Sequence, residues 1–252
     1  MHTHFFAPAV NRCAAHIRGL RRHQAGWLFY ILMVCAGYAT AQAAPDEYRL
    51  ALDKIADGKS PTGWVANATN PSGPLAQWRV VADSTTPGRA KVLTIDRIQD
   101  KSSGVFNLYW TNQVAFQNGE LSVRMRANSG NIDQGGGLIW RAQDENNYYV
   151  ARYNPLESNF RLYYVKQGSR TTLATSDRLS ASPGQWVQLR IAHQGQRIQG
   201  WFNNTLAWEV DDSQFPKVGG VGLWSKADAA SSFADFVARS KSVKYSERLR
   251  DE

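Results

Sequence analysis

Five residues combine flat or cationic chemistry with strand-like spacing: Arg141, Tyr149, Arg152, Trp224 and Lys226. They fall in two segments, residues 135–153 and 219–228, each opened by adjacent glycines. Aromatic faces stack on sugar rings, and guanidinium or ammonium groups donate hydrogen bonds to hydroxyls. Alternate side chains of an extended chain share a face. Trp224 and Lys226 therefore lie with Gly222, and Val221 with Leu223 lies opposite. By the same rule Arg152 shares a side with Tyr148 and Val150, Tyr149 with Tyr153, and Arg141 with Ile139. Such rows suit a concave groove lined by aromatic and cationic groups. They equally suit packing rings flanked by solvated charges.

The acidic and glycine-rich stretches carry other chemistries. Asp144-Glu145-Asn146-Asn147 lies between two strand-like segments. Four such side chains can ligate calcium through oxygen, or can close a hairpin turn by capping their own backbone. The turn is the better fit, because no second acidic cluster accompanies it. Calcium is thus the one cofactor left open, and no metal ligands are assigned. Gly135-Gly136-Gly137 lacks the Lys-Ser/Thr ending of a phosphate loop and leads into a strand, so close backbone approach explains it better.

The elements that must position these groups read as strands. Leu121, Val123 and Met125 alternate with Ser122, Arg124 and Arg126, and Val187, Leu189 and Ile191 alternate with Gln188 and Arg190. Further strand segments cover 105–110, 137–142, 148–154, 161–166, 198–202, 206–210, 220–226 and 232–238. Asn118-Gly119, Gln167-Gly168, Gln194-Gly195 and Asn203-Asn204 separate them as turns. Tyr48, Leu52 and Ile55 predict a short helix after Pro45. Ten or more short strands without a crossover helix imply an all-β fold, an antiparallel two-sheet sandwich.

The first 44 residues read as a signal peptide. Arg12, Arg18, Arg21 and Arg22 precede an apolar run from Trp27 to Ala39, and small residues follow it. The expectation is an exported protein, periplasmic or extracellular, with no membrane span in its mature form. Four of the 29 basic residues leave with that segment, so 25 face 21 acidic ones and the high whole-chain charge does not argue for nucleic-acid binding. Both cysteines leave too, and His193 is the one histidine that stays. A disulfide scaffold, a cysteine-liganded metal and most Ser-His-Asp chemistry are thereby excluded from the mature domain. Residues 45–240 form the expected sandwich domain, and 241–252 a charged C-terminal tail.

Gly63-Trp64, Gln77-Trp78-Arg79-Val80-Val81-Ala82-Asp83, Gly136-Gly137-Leu138-Ile139-Trp140-Arg141, Asn147-Tyr148-Tyr149, and Gly220-Val221-Gly222-Leu223-Trp224 leading to Phe233-Ala234-Asp235-Phe236 resemble the 3-keto-disaccharide hydrolase domain family. The middle and last blocks are shared with laminin G-like and other concanavalin A-like lectin/glucanase domains. The resemblance implies a jelly roll with a concave face that meets carbohydrate. Glu209-Val210-Asp211-Asp212-Ser213-Gln214 approaches the Glu-x-Asp-x-x-Glu row of glycoside hydrolase family 16, but Gln214 cannot donate a proton as an acid, and the stretch reads as a polar turn. If the domain is catalytic, Asp144, Glu145 and Asp228 are the charged candidates beside the resembling blocks, as acid or base, with Lys226 stabilising an oxyanion. The readings are glycan binding through the groove, a hydrolase or lyase acting on (3-keto) di- or oligosaccharides, and a structural or adhesive envelope domain.

Overall fold

A computed structural model describes residues 46–86, 88, 91–182 and 184–240. The expected signal peptide and charged tail lie outside the described residues. Among the described residues fifteen strands run in chain order as β1 (Asp46–Arg49), β2 (Val65–Thr69), β3 (Gln77–Ala82), β4 (Lys91–Arg97), β5 (Phe106–Phe116), β6 (Gly119–Ser129), β7 (Gly136–Asp144) and β8 (Asn147–Asn154). There follow β9 (Asn159–Lys166), β10 (Ser169–Asp177), β11 (Val187–Gln194), β12 (Arg197–Phe202), β13 (Thr205–Asp211), β14 (Gly219–Lys226) and β15 (Ala230–Ser240). One sheet has the order β13-β12-β11-β6-β15-β4-β3, and the other β10-β9-β8-β7-β14-β5-β2. Every pairing is antiparallel. Among the described residues no helix is long and apolar enough to cross a membrane.

The helix predicted around Tyr48–Ile55 is instead a strand followed by one 3-10 turn, Leu52–Lys54. Tertiary pairing overrides the local pattern. β1 is held along Val237–Ser240 of β15, and the Tyr48 hydroxyl accepts from Trp64 Nε1 at 2.9 Å. The turns follow the sequence closely. Gln167 and Gly168, and Asn203 and Asn204, all take positive φ, as two-residue hairpin loops require.

The two sheets differ in what they bury. In β6 and β11 buried and half-buried residues alternate, which is a strand with one face on the core. β7 and β8 are buried almost throughout. Their inward row, with Leu138, Trp140, Tyr149, Ala151 and Tyr153, meets Val123, Leu189, Ile191 and Phe233 of the first sheet in the main core. Their outward row joins a second apolar cluster with Phe106, Leu108, Trp110, Ile139, Tyr148, Val150, Tyr163 and Trp224. The second sheet thus carries apolar side chains on both faces.

Candidate functional site

β8, β9, β10 and β14 each send polar side chains to that outward face. Arg152 and Arg161 are register partners on adjacent strands, and Tyr163 follows Arg161 two residues along. Arg170 on β10 pairs with Val165, and its guanidinium lies over the rings of Tyr163 and Phe106, 4.4 and 5.1 Å from their centroids. From β14, Lys226 Nζ reaches Asp133 Oδ2 at 3.2 Å.

Two loops supply the carboxylates. Asp133, on the loop before β7, accepts from Arg152 Nη2 at 3.1 Å and from Asn154 Nδ2 at 3.2 Å. Glu157, in the β8–β9 turn, accepts from Arg152 Nη2 at 2.9 Å and from Asn159 Nδ2 and Arg161 Nη1 at 3.1 Å each. Arg152 and Asp133 are the buried floor, 1% and 2% exposed, while Glu157 at 40% and Arg161 at 33% form the rim. The Arg152 guanidinium, with Asn159 and Arg161, outweighs burial and holds the Glu157 carboxyl down at about 2. Burial works against the charge on Arg152, but Glu157 and Asp133 more than offset it, and its pKa rises. Burial pulls Arg170 below its ordinary value, and the nearby Arg152 charge adds to this.

Four donor-bearing atoms on this face are buried without a hydrogen-bond partner among the described residues: Arg152 Nε, Arg161 Nε, Tyr163 OH and Arg170 Nη1. An unsatisfied buried donor costs on the order of 1–3 kcal/mol. Native cores hold few such atoms, so four on one sheet face set this face apart from the rest of the sandwich.

Trp224 and Lys226 reach this face, as does Arg152. Trp224 is fully buried, its ring 5.3 Å from Phe106 and its Nε1 donating to the Tyr148 hydroxyl at 3.3 Å, so it supports the floor from beneath. Arg141 and Tyr149 do not join it. Arg141 has φ +46° beside a register shift in the β7–β8 ladder, which breaks the alternation that would pair it with Ile139. Its guanidinium instead binds the carbonyls of Gln117, Phe215 and Gly195 at 2.8, 2.8 and 3.0 Å. Tyr149 points into the main core, 5.6 Å from the Trp140 ring, and its hydroxyl donates to Asp212. It is one residue out of phase with Tyr148 and Arg152, so one strand cannot offer both to the same face.

Asp144 closes the β7–β8 turn, accepting from Asn146 N at 2.7 Å and Asn147 Nδ2 at 2.9 Å. Glu145 lies in the same turn, and its carbonyl accepts from Thr69. Five residues of strand separate this turn from Arg152, roughly 17 Å. Asp228 accepts from the backbone N–H groups of Asn131, Ile132 and Asp133 at 2.8–3.0 Å. Burial opposes its charge, yet those donors hold its carboxyl below the usual range. It braces the loop that carries Asp133 rather than facing the cluster itself. Among the described residues no three His, Cys, Asp or Glu side chains gather as metal ligands.

The 209–214 stretch is strand through Asp211 rather than a turn throughout. Glu209 is exposed and accepts from Arg197 Nη2 at 2.6 Å. Asp133, Glu157, Arg161, Tyr163 and Arg170 are absent from the sequence-derived candidates. Period-two alternation points to Arg161 and Tyr163 once β8 and β9 are paired; the two loop carboxylates carry no such signal.

Residues 52–235 match the model of a family described as the 3-keto-alpha-glucoside-1,2-lyase-like domain. No curated protein matches the chain. Among solved structures, the carbohydrate binding module CBM66 from Bacillus subtilis is similar with a TM-score of 0.54 and 17% identity, over 70% of this chain and 96% of that one. The cellulose induced protein Cip1 has a TM-score of 0.51 and 14% identity, over 73% and 94%. A protein described as a native glycosidic hydrolase has a TM-score of 0.50 and 12% identity, over 78% and 96%. At such identities the likeness is one of fold, the concanavalin A-like jelly roll.

Proposed function

The chain belongs to the 3-keto-alpha-glucoside-1,2-lyase-like domain family, a family of carbohydrate-binding or glycoside-hydrolase-like β-sandwiches, and from that premise we propose that the outward face of its second sheet is a saccharide-binding site. The carrying observation is the group of four buried, unpartnered donor atoms on Arg152, Arg161, Tyr163 and Arg170. Sugar hydroxyls and ring oxygens accept hydrogen bonds in fixed directions, and the donors here are preset by two carboxylates and by strand register. Glu157 and Arg161 at the rim meet the ligand first. The leader-like first 44 residues support export of this domain to the periplasm or beyond.

The test is a panel of oligosaccharides titrated calorimetrically into the full chain and into Tyr163→Phe. Removing that hydroxyl should weaken binding by about tenfold, one hydrogen bond's worth, at an unchanged thermal midpoint. A panel without a binder, or a variant that binds as the parent does, refutes the assignment.

Turnover is a second reading, favoured by the cations. In a 3-keto sugar the ketone acidifies the C2 proton; a base takes that proton, the C1–O bond breaks, and the leaving group departs with the electron pair and is protonated. Arg152, Arg170 and Lys226 would stabilise the enolate oxygen formed on the way. The accessible carboxylate, Glu157, is a weak base because its pKa is drawn down to about 2. That ranks binding ahead of turnover. Mass spectrometry of the chain incubated with glycans and 3-keto-disaccharides decides the point, since new products absent with heat-killed protein would reverse the ranking.

A further inference from the structure

The charges on the outward face do not balance. Arg152, Arg161, Arg170 and Lys226 stand against Asp133 and Glu157, and each carboxylate is already shared between two cations. Arg170 is the cation left over: among the described residues no carboxylate lies within ion-pair distance of it. Its guanidinium rests on the Tyr163 and Phe106 rings, and its buried Nη1 has no partner. Ring faces attract a cation but offer no acceptor for its N–H groups.

A neutral sugar seated here would satisfy some donors while stripping more water from a cation that no carboxylate contacts, which is costly. A carboxylate is planar, takes two parallel hydrogen bonds from a guanidinium, and can accept a third from the Tyr163 hydroxyl beside it. Resting on the saccharide-binding reading above, we infer that the preferred ligand is an acidic saccharide, a uronic-acid residue whose carboxylate sits on Arg170. Asp133 and Glu157 hold Arg152, Arg161 and Lys226 in ion pairs, so the carboxylate is directed to Arg170, the one cation of the four with no carboxylate in ion-pair contact among the described residues.

Three disaccharides of the same linkage test this by calorimetry with the full chain: one ending in glucuronate, its neutral glucose counterpart, and a sulfated counterpart. The glucuronate form should bind about tenfold or more tighter than the neutral one, as a charge-assisted pair implies. That advantage should shrink with added salt in the parent protein and collapse in Arg170→Met, with Arg170→Lys in between because an ammonium lacks the planar fork. The salt series needs no variant, so it stands even where a substitution disturbs folding. Equal or tighter binding of the neutral sugar overturns the inference and leaves the saccharide site in place. Equal or tighter binding of the sulfated sugar overturns the carboxylate assignment. No binding of any of the three removes the inference and the saccharide site together.

Discussion

Replacing Arg152 with methionine tests the floor of the site most severely. Its guanidinium contacts Asp133 at 3.1 Å, Glu157 at 2.9 Å and Asn159 at 3.2 Å. Glu157 is exposed enough to be rehydrated when the arginine is gone, so its share of the loss is small. Asp133 is not: at 2% exposure it would be left, among the described residues, with the side chains of Lys226 and Asn154 as its partners. Removing one partner of a buried pair costs about 3–5 kcal/mol, and the surviving contacts place this case near about 3. For a domain of this size that lowers the melting temperature by about 6–12 °C. Urea denaturation followed by tryptophan fluorescence should show a lower midpoint at unchanged slope. Arg152→Met with Asp133→Asn should recover most of the loss, because the stranded charge is then gone and Lys226 can turn to water. A loss under about 1 kcal/mol, or no recovery in the double variant, would refute the view that the pair is a buried, mutually dependent unit.

Three further outcomes are expected. Burial, with the Arg141 charge adding to it, holds His193 down from 6.5 to about 3; the neutral ring is favoured by folding, so stability is full above its ordinary value and falls with pH below it. The slope is at most about 1.4 kcal/mol per pH unit. His193→Gln, which keeps an acceptor for Trp140 Nε1, should flatten the urea midpoint between about pH 6.5 and about 4.5, and a variant that still tracks the parent would show that another group takes the proton. Trp224→Ala should cost about 3–5 kcal/mol in the same assay, as emptying a fully buried ring site does; a near-neutral change would mean that the ring is not part of the packed layer. Asp228→Ala should weaken saccharide binding through its release of the Asn131–Asp133 backbone, and Asp228→Asn, which keeps one of the two acceptor oxygens, should restore part of it; equal affinity in all three proteins would remove the brace from the account.

The alternation of apolar residues determined the strands from β5 onward, apart from β10, and the parity of most side chains within them. Leu121, Val123 and Met125 could only share a face, and Trp140 went inward with Leu138 as that parity allows. The glycine run was equally legible: a Cβ on Gly137 would stand 1.8 Å from the Ala151 carbonyl oxygen, and one on Gly135, at φ +124°, 2.1 Å from that of Tyr153. Parity says nothing about bulges, though, and the one at Arg141 sent that side chain to three carbonyls at the end of the sandwich. Nor does it say which outward residues become neighbours. Arg161 lies beside Arg152 only through the β8–β9 register, and Arg170 came from β10, whose polar composition gave no clear period. Asp133 and Glu157 belong to loops, where no periodicity operates, and they entered the site because Asp228 and the β8–β9 turn fix their backbones. Local pattern therefore determined the sheets, whereas the charged face exists only in three dimensions, because burying a carboxylate requires cations that distant strands must deliver.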